Sequence, residues 1–181
     1  MIATISGPSG VGKTTLLNNV LHVAPHAEPL KSVTTRAPRP TDELSYEYVT
    51  EAQFDELERR GELLWAVRTH GRRYGTRKKL IDDALSKDLA IAVLVIDAVQ
   101  KLHVYAHGSV RSLYIRIDDE AELRKRFSKR GDMTPEEVES RMVECRSWNK
   151  EAELSGVPFV YLDGKKSREE LLEDALAALA L

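Results

Sequence analysis

Apolar residues recur along this chain with two periods, and the changes of period outline alternating strands and helices. Ile2, Ala3 and Ile5 open a short strand over 2–5. Leu16, Leu17, Val20 and Leu21 then recur at helical spacing, predicting a helix over 13–22 that stops before Pro25. Residues 24–50 are rich in proline, threonine and charge and offer no place for a core helix. Thr50 and Gln53 form a capping-box pattern ahead of Phe54 and Leu57, with Gly61 as the stop. Residues 63–69 read as a strand and 71–75 as a glycine-bracketed turn. Leu80, Ile81, Ala84 and Leu85 form the stripe of a helix over 77–87.

The second half repeats the theme. Residues 90–96 are continuously apolar and end at Asp97, which fits a central parallel strand buried on both faces. A short helix over 98–107 and a strand over 113–117 follow, and Asp118 is the expected cap of a helix over 119–130. Thr134, Pro135 and Glu137 predict a capped helix running to about 154. A last strand at 158–162 and a helix capped by Ser167 complete the chain. This alternation predicts an α/β fold with a mostly parallel sheet. Residues 30–76 and the arginine-rich stretch 124–141 fall outside that sheet, as ligand-binding insertions at the strands' C-terminal ends do.

Composition adds limits. A chain of 181 residues, 42% hydrophobic and 31% charged, suits one soluble domain. A net charge of −2 gives no global pull toward nucleic acid or anionic membrane, so any anion site must be a local basic cluster. The single Cys145 forms no internal disulfide, which suits a reducing cytoplasm. No signal peptide or membrane-length apolar run is expected.

The strongest local signal is Gly7-Pro-Ser-Gly-Val-Gly-Lys-Thr14, which fits the phosphate-binding P-loop pattern between a strand and a helix. Gly7, Gly10 and Gly12 let backbone N–H groups wrap a phosphate chain, with Ser9 and Val11 between them. The helix start adds partial positive charge. Lys13 reaches the outer phosphates, Thr14 offers a hydroxyl to Mg²⁺, and Thr15 follows in the first turn.

With this loop stand Ser-Val-Thr-Thr-Arg-Ala-Pro-Arg at 32–39, Tyr46-Glu-Tyr-Val, Tyr74-Gly-Thr76 and Lys125-Arg-Phe-Ser-Lys-Arg-Gly131. In this order, over nearly the whole chain, the motifs resemble the guanylate kinases. The resemblance implies a three-layer P-loop NTPase fold with a mostly parallel central sheet, an inserted monophosphate-binding domain and an arginine lid. It places the core at 1–29, 77–117 and 142–181, the insert at 30–76 and the lid at 118–141. It implies ATP as phosphoryl donor, Mg²⁺, and GMP as acceptor. Arg36, Arg39, Tyr46 and Tyr74 look like the clamp on the acceptor phosphate. Guanidinium forks and phenols suit that task, and solvated loop charges are the plainer reading of the two arginines. Lys13, Arg126, Arg130 and Arg141 look like the cations around the transferring phosphoryl group. The alternative for the lid arginines is a salt-bridged helix face beside Glu120, Glu122, Glu136, Glu137 and Glu139.

The likeness breaks at the base reader. Ser32 and Thr76 match the family's hydroxyl positions, which face the guanine O6. Trp65 stands where the family keeps a glutamate, and the family's Asp-x-Asp becomes Val95-Ile-Asp97. Asp97 is then expected to help either the metal or the acceptor, or only to cap a helix. Trp65 gives guanine's donors no acceptor. The expected function is ATP-dependent phosphorylation of a nucleoside monophosphate, GMP first. Ribose 1,5-bisphosphate phosphokinases and non-catalytic guanylate-kinase-like binding modules are the alternatives. A small-molecule acceptor is expected, with no nucleic-acid or membrane partner.

Overall fold

Strand β1 (Ile2–Ser6) is buried along its whole length because the sheet around it is covered on both faces. The structure is a computed structural model and describes residues 1–38, 44–69, 71–128 and 134–181. After β1 comes helix α1 (Lys13–Val23), then the short strands β2 (Ala27–Pro29), β3 (Ser32–Thr34) and β4 (Tyr46–Tyr48). Helix α2 (Glu51–Arg59) leads to the hairpin β5 (Leu63–Thr69) and β6 (Arg72–Arg77). Helix α3 (Lys78–Leu85), β7 (Leu89–Val93), α4 (Ile96–Tyr105) and β8 (Val110–Arg116) follow. The chain closes with α5 (Glu120–Ser128), α6 (Pro135–Leu154), β9 (Phe159–Asp163) and α7 (Arg168–Leu179).

Among the described residues the strands form two sheets. The larger runs β2-β7-β1-β8-β9, and every neighbouring pair in it is parallel. One face packs Ala3, Ile5, Leu113 and Ile115 against Leu17 and Val20 of α1 and Ala175 of α7. The other packs Ile2, Ala90 and Tyr114 against Ile81 of α3 and Val99 and Leu102 of α4. This is the expected three-layer α/β arrangement. Its apolar strand interiors match the continuous runs in the sequence, as a sheet buried on both faces requires.

The smaller sheet runs β4-β3-β6-β5, with β3 parallel to β4 and antiparallel pairing elsewhere. It has a small core of its own, Val33, Phe54, Leu57 and Leu63. Trp65, 4% exposed, packs instead into the second core of the large sheet and ties the two sheets together.

The capping boxes at Thr50, Thr134 and Ser167 all form, each with reciprocal bonds to the third helical residue. The described residues of 24–50 hold no helix, as expected, and add three strands of three residues each, too short for a visible period. Other expectations need correction. The stretch 71–75 is no turn, because residues 72–75 belong to β6. A Cβ on Gly75 would lie 2.8 Å from the Trp65 carbonyl oxygen, so this glycine serves a close strand approach. The apolar run at 90–96 leaves the sheet after Val93, and Ile96 already begins α4. The N-cap of α4 is Val95, so Asp97 does not cap it. The cap before α5 is Asp119, whose Oδ1 accepts the Glu122 N–H at 3.1 Å, while Asp118 pairs with Arg116.

Candidate active site

The loop between β1 and α1 turns on Gly12, whose φ of 108° is a left-handed conformation that glycine adopts without strain. That turn starts α1 and leaves its first N–H groups unpaired within the helix. Lys13 folds its ammonium back along the loop, donating to the carbonyls of Gly7 and Pro8 at 2.7 Å each. The same ammonium stands 5.9 Å from the Trp148 ring centroid. Thr14 is half-buried and Thr15 exposed in the first turn of α1.

Two clefts meet this loop. The larger, about 490 Å³, runs from Ser9 and Lys13 to Arg36, Tyr46 and Tyr74 of the small sheet. Arg36 lies over the Tyr46 ring at 4.9 Å, and Tyr46 meets Tyr74 edge-on at 5.9 Å. Ser32 reaches this cleft, and its hydroxyl is 3.3 Å from that of buried Thr76. Trp65 and Val95 also line it. The Trp65 indole N–H is buried and has no hydrogen-bond partner among the described residues. Arg141 closes the cleft from α6 and pairs with Glu144 at 3.0 Å. Behind these groups burial pushes the Cys145 thiol up to about 11, and Cys145 packs in the same core as Met142.

The smaller cleft, about 350 Å³, lies on the other side of the loop, along Gly10, Val11, Gly12 and Thr15. Arg126 lines it with Arg168. Arg126 is held by Glu122 at 2.8 Å and donates to the Gly164 carbonyl at 2.8 Å.

The structure therefore brings Ser9, Lys13, Ser32, Arg36, Tyr46, Tyr74 and Arg141 to one cleft and places Arg126 at the other. Arg126 carries an ion pair with Glu122 that the salt-bridged alternative foresees, and Arg141 pairs with Glu144, which that alternative did not name. Arg141 is not at the start of its helix but seven residues in. Asp97 is exposed in the first turn of α4, and neither cleft is lined by it. The Glu151 carboxyl is raised by burial and, second, by the charge of Asp97, so Asp97 stands toward α6. Arg39, expected in the clamp, and Arg130, expected in the lid, lie outside the described residues. Sequence reasoning missed Arg72 and Trp148. Arg141, Glu144 and Trp148 recur at i, i+3 and i+7, so one helical face of α6 was the available signal.

The family model for guanylate kinase matches residues 2–174. The chain belongs to the guanylate kinase family. Its enzyme class is that of the nucleoside monophosphate kinases, ATP- and nucleotide-binding transferases built on a P-loop. It is 32% identical over 180 residues to a guanylate kinase from Methylobacillus flagellatus, covering 97% of this chain and 86% of the relative. A guanylate kinase from Cutibacterium acnes is 35% identical over 147 residues, covering 78% of this chain and 72% of the relative. One from Anaeromyxobacter dehalogenans is 32% identical over 151 residues, covering 81% of this chain and 66% of the relative. The crystal structure of guanylate kinase from Anaplasma phagocytophilum superposes with a TM-score of 0.73 at 22% identity, covering 99% of this chain and 84% of that one, and shows the same fold.

Proposed function

We propose that this kinase transfers the terminal phosphoryl group of ATP to GMP, giving ADP and GDP. The observation that carries this is the larger cleft, which joins Lys13 and Arg141 to Arg36, Tyr46 and Tyr74 in one continuous space. The core, the insert at 30–76 and the lid at 118–141 then act as three working parts.

The loop geometry fits a nucleotide's phosphates, because the glycine conformations aim backbone N–H groups inward at the start of α1. The amides of Gly7, Ser9, Gly10, Val11 and Gly12 would hold the donor phosphates, with Thr15 at their flank. Lys13 leaves the loop carbonyls and neutralises the outer oxygens. Among the described residues no group of three or more acidic, histidine or cysteine side chains gathers to hold a metal. That suits Mg²⁺, which binds nucleotides mainly through phosphates and water and needs few protein ligands. Thr14 is the ligand we assign. Asp97, exposed and outside both clefts, is given no part in binding metal or acceptor. When bound, Mg·ATP supplies the phosphoryl group and charge neutralisation at its bridging oxygens.

On the acceptor side, Arg36 offers a fork and Tyr46 and Tyr74 one hydroxyl each to the acceptor phosphate, with Arg39 as the fourth clamp residue. Arg141 approaches the transferred group from α6. Arg126 sits across the loop, where it would steady the donor, and Arg130 would join it. Transfer needs positioning and positive charge more than covalent help, and these residues supply both. Ser32 and Thr76 donate toward a 6-oxo group. The buried, reduced Cys145 fits a cytoplasmic setting.

The test is product analysis. Protein, GMP, ATP and Mg²⁺ should give equal amounts of GDP and ADP, and omitting GMP should stop ADP release. ADP release without GDP would refute the proposal.

A further inference from the structure

Strand β6 sends alternate side chains to opposite faces. Arg73 leaves the cleft side. Its guanidinium lies over the Phe54 ring at 4.3 Å and pairs with Asp55, Glu51 and Glu58 of α2. Arg77 leaves on the same face and pairs with Glu47 and Glu62. Tyr74 takes the other face and lines the large cleft, with Thr76 behind it. Arg72 belongs to the Tyr74 series. It lines the same cleft, is exposed, and has no ion pair or hydrogen bond among the described residues.

The ladder brings a second guanidinium to Arg72. Val33 pairs with Gly75, Thr34 with Tyr74, and the Thr35 N–H donates to the Arg73 carbonyl at 3.1 Å. The next residue is Arg36, just beyond the end of β3, which lines the same cleft as Arg72. Like charges in one cleft repel. Lys13 adds a further positive charge. Among the described lining residues the one carboxylate is Glu144, already paired with Arg141. Arg73 and Arg77, one and five positions along β6 from Arg72, are neutralised by carboxylates.

We propose that Arg72 is an anion-binding residue of the acceptor site, gripping the acceptor's phosphate beside Arg36. This rests on the assignment of the large cleft to the acceptor. Two guanidinium forks can share one phosphate, each donating in parallel to a pair of oxygens. The phosphate then removes the repulsion between them. Arg72 thereby favours phosphorylated acceptors as a class and carries no information about the base.

The experiment uses Arg72→Ala and Arg72→Lys in the full chain. Losing a charge-assisted hydrogen bond should raise the KM for GMP about tenfold or more in Arg72→Ala. kcat and the KM for ATP should stay within about twofold, because uniform ground-state binding is what is lost. Arg72→Lys should recover part of the loss. GMP and guanosine are also titrated in the absence of ATP, with tryptophan fluorescence as readout. Arg72→Ala should weaken GMP and leave guanosine unchanged. An unchanged GMP affinity, or an equal loss for GMP and guanosine, would overturn the assignment. A rise confined to the KM for ATP would also overturn it, by moving Arg72 to the donor. Turnover of the parent protein tests the proposed reaction; the difference between parent and variant in GMP binding tests Arg72. The melting temperature should not fall, since this exposed side chain has no partner among the described residues to lose and its removal relieves repulsion with Arg36.

Discussion

The two ends of the large cleft are built by opposite means. At the core end the backbone dominates: a glycine-rich turn, the start of α1 and one folded-back lysine, the groups proposed to hold the donor phosphates. At the other end side chains do it, projected from a small mixed sheet whose own core is four buried residues. A backbone cradle tolerates changes in neighbouring side chains. A side-chain site changes its ligand with each substitution, as Trp65 illustrates. That tryptophan replaces a carboxylate expected from the family resemblance and fills the join between the two sheets. On the proposed reading, the phosphate groups of the site are kept while the family's base-reading carboxylate gives way to an indole.

The sharpest way to break this contrast is to restore the carboxylate. Trp65→Glu removes a large ring from the second core and should cost about 3–5 kcal/mol of stability, read from urea midpoints. If the variant folds, its preference for GMP over AMP should rise, because guanine's N1–H and 2-amino group gain an acceptor. A variant as stable as the parent would show that Trp65 does not join the sheets.

Lys13→Ala addresses the core end. Transfer should fall about 10²–10³-fold, or roughly 2.7–4 kcal/mol, as when one positioned donor is removed from a transition state. Near-normal turnover would separate the loop from the chemistry.

Gly75→Ala probes the hairpin that projects the side chains. The added Cβ meets the Trp65 carbonyl oxygen at 2.8 Å and the Leu63 Cδ1 at 3.0 Å. Overpacking of this kind should cost about 1–3 kcal/mol, and the KM for GMP should suffer more than that for ATP. Equal effects on both substrates would argue that the insert does not act as a unit.

The same contrast governs what could be read in the sequence. The phosphate loop and the three capping boxes are local, each set by residues within eight positions, and all have the expected form. The parallel sheet was legible from its apolar runs. The strands β2, β3 and β4 were not, because three residues show no period. Strand β6 was misread because Gly71 and Gly75 resemble turn punctuation. Only Gly71 sits at the turn, with φ 69°; Gly75 is small for the sake of Trp65, a neighbour across the hairpin. Arg72 reaches the cleft through the tertiary placement of β6, and Trp148 was marked only by its helical spacing from Arg141 and Glu144. Arg36, Tyr46 and Tyr74 were found by resemblance, and their convergence on one cleft is a product of the β3–β6 ladder.

The smallest expected effect belongs to the core sheet. His103 Nε2 lies 2.8 Å from the Ser112 hydroxyl, which accepts from Thr4 at 3.0 Å. Ser112 can then donate to a neutral imidazole. Burial holds the His103 pKa below its usual 6.5. Because the folded value is depressed, this contribution to stability is complete above pH 6.5 and is lost as the pH falls through the folded pKa. Melting temperatures between pH 7.5 and 5 should therefore decline, with a flatter acid limb in His103→Gln. A parent curve that is flat over this range would remove the effect. No change in nucleotide KM is expected, since neither cleft includes this histidine.

The central claim is that an intact phosphoryl-transfer cradle serves an acceptor site that clamps phosphate firmly and reads the base weakly. ADP release measured against GMP, dGMP, AMP, UMP, CMP and ribose 1,5-bisphosphate tests it most directly. The account predicts the highest kcat/KM for GMP, with AMP disfavoured by well under the ~10⁴-fold that a complete polar reader achieves. Turnover of ribose 1,5-bisphosphate with no nucleotide accepted, or GMP preferred over AMP by the full factor, would contradict it.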